Sequence, residues 1–412
     1  MSHETLAPFN FAEAYGSGDP YPTYARFRAA DPVHIQQHSS SDGTSTWQET
    51  YLFRHADCHA ALRDPRLGKW ERPPDAPQPA PNTFQAVAGN FMLFRNPPAH
   101  TRLRGTANLA FTPRQAERLR PSIESLASDL ARTMRDHDGP VDLITQFAYP
   151  LPMMVIAEML GIPREDFRLF RSLAGDVAAA IDFPLEGLEA FVARVDRSTA
   201  ELSDYFRDLI ANRRANPGDD LLSSLIAAAD DEGRLSEDEL IATCLLLLVA
   251  GHETTVNLIG NGTLALLTHR DQWDILNAEP DLARNATEEL LRYDAPVQLT
   301  TRLALADTAI GGVDIPAGSA ITTVLGSANR DEAVFPNPDR LDIRREVGRI
   351  MSFGMGIHFC LGAPLARLEG EIAFRTLSRE FPGLSLATGT PAWRPGAVFH
   401  GLRDLPLTLT AS

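Results

Sequence analysis

Phe353-Gly-Met-Gly-Ile-His-Phe-Cys-Leu-Gly362 is the stretch on which the fold turns. It sets a lone cysteine, Cys360, in a glycine-rich loop directly ahead of the helical pattern Ala363-Pro-Leu-Ala-Arg-Leu-Glu369. Gly354, Gly356 and Gly362 let backbone approach a flat ligand where a side chain would clash. The start of the following helix supplies free N–H groups and the positive end of a dipole, which favour a thiolate over a thiol. Such a loop suits a cysteine that stays deprotonated while it holds a metal. The competing reading is a structural cysteine buried in a loop.

Upstream, Leu235 to Val256 opens a long apolar helix. Ser236 and Glu239 have the spacing of a capping box. The pattern continues to about Thr268, roughly 32 residues and 48 Å at 1.5 Å per residue. A helix this long and apolar crosses the middle of the molecule. Its centre nevertheless holds Gly251, His252, Glu253, Thr254 and Thr255, where polar groups are costly to bury and glycine costs about 1 kcal/mol relative to alanine. Local rules broken at the centre of a core helix mark a functional site. Taken alone, Thr254 equally suits a hydroxyl that bonds back to a helix carbonyl.

Both stretches resemble the cytochrome P-450 family, and the resemblance extends over nearly the whole chain. It implies a mainly α fold with small β-sheets, one domain over residues 1–412. Haem b lies between the long central helix and the cysteine-loop helix, with Cys360 as the iron ligand and Phe353 and Gly354 in the haem-binding loop. Ala250-Gly-His-Glu-Thr-Thr255 resembles the oxygen-activation motif, in which the counterparts of Glu253 and Thr254 relay protons. Pro97-Pro-Ala-His-Thr-Arg-Leu-Arg104 resembles a segment whose histidine and last arginine bind haem propionates. His100 and Arg104 lie four apart, on one helix face. Arg302 and His358 match two further propionate partners, and arginine and histidine suit carboxylates chemically. Glu289, Arg292 and the downstream Arg340 match a buried structural trio. Leu341 for phenylalanine, Asn96 for aspartate and His400 for arginine are departures from the family's pattern.

By the same resemblance the chain is a haem-thiolate monooxygenase that oxidises a bulky hydrophobic small molecule, in the tailoring of a polyketide or peptide antibiotic. Nothing in the sequence resembles a flavin or nicotinamide domain, so electrons come from a separate ferredoxin and ferredoxin reductase. Docking calls for local basic groups near Cys360, for which Arg104, Arg349 and Arg367 are candidates. The substrate pocket is placed by region. Phe84, Phe91 and Leu93 stand in one loop, and the segment Leu173 to Phe183 forms a second wall. Leu246, Val249 and Ala250 come from the long helix, Val297 to Leu299 and Val398 with Phe399 from further on. A peroxide-driven peroxygenase or a non-catalytic haem protein would share the cysteine loop but not need Glu253-Thr254. A cysteine hydrolase using Cys360 and His358 is poorly served by residues two apart with no third orienting group.

Composition agrees with a globular enzyme. The 412 residues are 44% hydrophobic and carry a net charge of −16, which opposes nucleic-acid and anionic-membrane binding. Basic charge is almost all arginine, and Lys69 is the only lysine. Cys58, Cys244 and Cys360 stand far apart, which speaks against a disulfide framework or a zinc site and for a reducing compartment. No secretory signal opens the chain, and the apolar run Ile241 to Ala250 is about half a membrane span. The expectation is a cytoplasmic monomer. The proline-rich stretch 71–81 is expected to be a surface loop, since it cannot be helix.

Overall fold

The computed structural model describes residues 6–16, 18–39, 46–70, 82–182, 188–230, 234–387 and 391–409. The proline-rich stretch 71–81 lies outside them. Everything is arranged around the helix Glu237–Thr268, which begins as its capping box dictates: Ser236 Oγ accepts from the Glu239 amide at 3.2 Å and Glu239 Oε2 from the Ser236 amide at 2.9 Å. It is long and apolar enough to cross a membrane, yet it is mostly buried inside the protein.

Its two halves serve different cores. Leu240 to Val249 pack with Phe170, Leu202 and Phe206 of the helices Phe167–Ile181 and Leu188–Ala215. Val256 to Leu266 pack with Ile372 and Phe374 of the helix Ala363–Glu380 and with Leu290 of the helix Ala283–Tyr293. Between the halves lie Ala250 to Thr255, and here a cavity opens in place of a core.

A five-stranded sheet flanks this helical body, in the spatial order Val33–Ser39, Thr46–Leu52, Ala320–Val324, Leu299–Ala304, Leu67–Gly68. Ala320–Val324 runs parallel to Thr46–Leu52 and antiparallel to Leu299–Ala304. The sequence pattern suggests that Ala309–Ile315 is one strand joined to Ala320–Val324 by the turn at Pro316. Instead, Thr308–Ile310 and Val313–Ile315 pair with each other. Gly311 and Gly312, with φ of 59° and 82°, supply the two-residue turn.

A buried ion pair anchors the helix Ala283–Tyr293. Arg292 donates to Glu289 through Nε at 2.7 Å and Nη2 at 2.8 Å, and both side chains are fully buried. The third arginine is Arg345, not Arg340. Arg345 Nε reaches Glu289 Oε1 at 3.1 Å. The Arg340 side chain is exposed, and that residue contributes its carbonyl, which accepts from Arg345 Nη2 at 3.1 Å.

Candidate active site

The loop before the helix Ala363–Glu380 folds as its glycines allow. Gly354 and Gly356 have φ of 62° and 69°. A Cβ on Gly356 would stand 2.3 Å from the Leu62 carbonyl oxygen, so only glycine fits there. The Cys360 amide donates to the Phe353 carbonyl at 2.9 Å, closing the loop. Burial pushes the Cys360 thiol up, and the N–H groups of Gly362 and Ala363 with the Arg104 and Arg367 guanidiniums pull the other way. Burial outweighs the helix terminus, so the thiolate form has to be secured by what the sulfur binds.

Beside the sulfur lies a cluster of basic groups with no carboxylate on them among the described residues. Arg302 is buried and donates to the Thr300 hydroxyl at 3.2 Å and the Thr301 carbonyl at 2.8 Å. Lys69, also buried, shares both acceptors at 3.4 and 3.3 Å. His100 and His358 stand with ring centroids 4.3 Å apart, and the Nε2 of each is buried without a partner. Burial holds both imidazoles below the usual histidine range, His358 at about 2. Arg104 donates to the Phe359 carbonyl at 2.7 Å. Two buried basic groups on the same two acceptors, with burial and the neighbouring Arg302 pulling the Lys69 ammonium well below the usual lysine range, and two orphaned imidazole nitrogens alongside, form a cradle that suits carboxylates.

On the central helix, Thr254 Oγ1 donates to the Ala250 carbonyl at 3.0 Å. The hydroxyl therefore presents an acceptor to the cavity it lines. Glu253 is buried, with one carboxylate oxygen paired to Arg394 and the other without a hydrogen-bond partner. His252 donates through Nδ1 to the Leu248 carbonyl at 2.7 Å, leaving Nε2 3.5 Å from Glu253. Burial lowers His252 to about 4, so it is neutral near pH 7. On the facing helix, burial raises Glu369 to about 8, against the pull of Thr255.

The cavity has a volume of about 500 Å³ and joins these groups. Of the expected substrate-wall residues, Leu93, Leu246, Val249 and Ala250 line it, as do Val297, Leu299, Val398 and Phe399. Phe84 and Phe91 do not. Phe91 is fully buried, stacked on Phe94 and set edge-on to Phe84, so both rings belong to the packing behind the wall. Leu173 is core as well, and only Ile181 of its helix reaches the cavity; Phe183 lies outside the described residues. Arg367 is ion-paired with Glu288, and Arg349 is exposed.

The cytochrome P450 family profile matches residues 67–385. The chain is a cytochrome P450. Over 399 residues it is 42% identical to a vitamin D(3) 25-hydroxylase of Pseudonocardia autotrophica, covering 95% of this chain and 94% of the relative. It is 41% identical to the cytochrome P450 monooxygenase PikC of Streptomyces venezuelae, covering 95% and 91%. The solved structure of the bacillaene polyketide synthase cytochrome P450 PksS of Bacillus subtilis superposes with a TM-score of 0.87 at 38% identity, covering 98% of this chain and all of that one. A structure of P450BioI with an acyl-ligated acyl carrier protein gives 0.86 at 36% identity, covering 94% and 98%.

As a cytochrome P450 monooxygenase, the chain takes haem b as its cofactor. The residues fit that group. A cysteine sulfur faces the cavity, and a carboxylate cradle lies to one side of it. Among the described residues no set of three His, Cys, Asp or Glu forms a rival metal site. Three residues at this P450 site escaped the sequence reading: Lys69, Glu369 and Arg394. Lys69 had one faint signal, as the single lysine in an arginine-rich chain. The other two draw their meaning from partners far away in sequence.

Proposed function

We propose that this cytochrome P450 hydroxylates, or otherwise oxidises, a bulky hydrophobic small molecule in secondary-metabolite biosynthesis. It acts as a cytoplasmic monomer, one domain over residues 1–412, with electrons from a separate ferredoxin and its reductase. One observation carries the reading: a single, largely apolar cavity is lined by both Cys360 and Thr254. The activities named for the vitamin D(3) hydroxylase and for the polyketide synthase P450 agree with an oxidised substrate of this kind.

In this reading Cys360 ligates the iron, with Phe353 and Gly354 shaping its loop. His100, Arg104, Arg302 and His358 hold the propionates, and Lys69 adds a fifth basic group. The bound haem, with its thiolate ligand, supplies oxygen activation and transfer of one oxygen atom. The chain's own residues manage the protons. Thr254, its hydrogen committed to Ala250, accepts a hydrogen bond and fixes a protonated group or water in the cavity. Glu253 is the carboxylate behind it, and the Arg394 side chain, 41% exposed, links Glu253 toward solvent. Glu369 stays protonated near neutrality and is a second proton store against Thr255. The apolar wall from Leu246 to Val398 excludes bulk water, so proton entry is confined to these groups.

Electrons enter on the Cys360 face, where Ile357 and Phe359 are exposed and Arg104 bonds the Phe359 carbonyl. The test is turnover. Spectral titration over a panel of hydrophobic compounds finds a ligand that shifts the Soret band of the holoenzyme. Product then forms with ferredoxin, reductase and oxygen. Product formed with peroxide but not with the electron partners would establish the peroxygenase instead.

A further inference from the structure

Residues 392–403 fold back on themselves beside the cavity. The Arg394 amide donates to the Gly401 carbonyl at 2.9 Å and the Arg403 amide to the Ala392 carbonyl at 2.7 Å. One edge of this turn is stitched to the segment before the strand Leu299–Ala304. The Gln298 amide donates to the Val398 carbonyl at 2.8 Å, the His400 amide to the Pro296 carbonyl at 3.0 Å, and Val297 pairs with Phe399. Three successive amides remain, those of Ala397, Val398 and Phe399. All three donate to one carboxylate, Asp182, at 2.8, 2.8 and 3.3 Å.

The approach is built in. A Cβ at Gly396 would stand 2.1 Å from Asp182 Oδ2, so glycine is what lets the carboxylate reach the amides. Consecutive N–H groups wrapped around an anion form a nest, and charge-assisted bonds of this kind are stronger than neutral ones. Asp182 directly follows the helix Phe167–Ile181, whose last residue lines the cavity together with Val398 and Phe399. One side chain thus joins two separate parts of the cavity wall. The same turn carries Arg394, the ion-pair partner of Glu253.

We infer that Asp182 is a positioning residue that fixes Val398 and Phe399 against Ile181, and so sets how the wall accepts ligands of different size. The inference rests on the haem-site reading above. The bonds from Asp182 to the turn involve neither the sulfur loop nor the basic cradle, so losing it should leave both in place while it loosens the wall and the turn that carries Arg394.

The test is a size series of azoles, from imidazole through 1-phenylimidazole to econazole, followed by the Soret shift in the holoenzyme. Asp182→Asn, Asp182→Ala and Gly396→Ala are compared with the native chain. Imidazole, too small to depend on the wall, should bind each variant within about twofold of native. The dependence of affinity on ligand size should change by about tenfold. The double variant Asp182→Ala/Gly396→Ala should add nothing to either single one, because both remove the same contact. Hydrogen exchange at the 397–399 amides should quicken in Asp182→Asn, which keeps the side-chain shape if Asp182→Ala fails to fold. A size profile unchanged from native, or a uniform loss that includes imidazole, overturns the inference. Failure of imidazole to shift the Soret band of the native chain instead defeats the haem-site reading, and the inference falls with it.

Discussion

Around Cys360, ten consecutive residues supply the sulfur, the turn that presents it and the N-cap of the helix behind it. The rest of the cavity wall is assembled from Leu93, the middle of the central helix, the Val297–Leu299 segment, Ile181 and the turn at Val398. The first region is a local structure, and the glycine backbone at Gly354 and Gly356 almost determines it. The second exists only when distant segments meet, and its polar links bridge long sequence separations, as between Asp182 and Val398 or Glu253 and Arg394. A locally coded site tolerates little and fails all at once. A wall of many segments can be altered one contact at a time.

Substitutions should separate the two accordingly. The largest effect is expected under the cysteine loop. Glu289→Ala strands the buried Arg292 guanidinium, a loss of about 3–5 kcal/mol, and should yield protein without stable haem; a native Soret band and melting temperature would break the comparison. Next comes Thr254→Ala on the facing wall. It should fold and bind haem normally while product per electron pair falls about tenfold or more, since positioned proton transfer typically contributes that much. Product counted against reduced cofactor consumed, with released peroxide, measures this. Smaller still, Lys69→Met should raise the rate of haem transfer to apomyoglobin severalfold while leaving the melting temperature of the apoprotein unchanged or higher. If Lys69 is instead structural, the apoprotein loses stability too.

The last effect is a pH dependence, absent near pH 4.5 and growing as pH rises. The Glu369 carboxyl is raised from 4.5 to about 8 in the folded chain. The folded state therefore binds the extra proton, and this contribution is complete below pH 4.5 and lost as pH rises through 8. Glu369→Gln removes the titration. Its melting temperature should match the native one near pH 4.5 and exceed it by a few degrees above pH 8. A constant offset across the range would show that the carboxyl is not buried as described.

The same contrast explains what the sequence made legible. The capping box at Ser236 and Glu239, the length of the central helix and the cysteine loop are each coded within a few residues, and all were readable. Of the fold, the sheet was harder: Val33–Ser39 and Leu299–Ala304 take their character from partners across the sheet, and the hairpin at Gly311-Gly312 was hidden inside an apparently single strand. At the site, Phe84 and Phe91 looked like wall and proved to be packing, because burial of a ring says nothing about which side the cavity is on. The family pattern points to Arg340, but the chain beyond the turn through Asn337, whose φ is 50°, brings Arg345 back to Glu289 instead. Arg394, Asp182 and Glu369 gave no warning, since each matters only through a contact made more than a hundred residues away.

The account stands on a thiolate from Cys360 at the iron, and the reduced carbonyl difference spectrum tests it most directly. The native chain should show the strongly red-shifted Soret band of thiolate-ligated haem, and Cys360→Ala should lose it. Absence of that band in the native chain, or its survival in Cys360→Ala, would contradict the account.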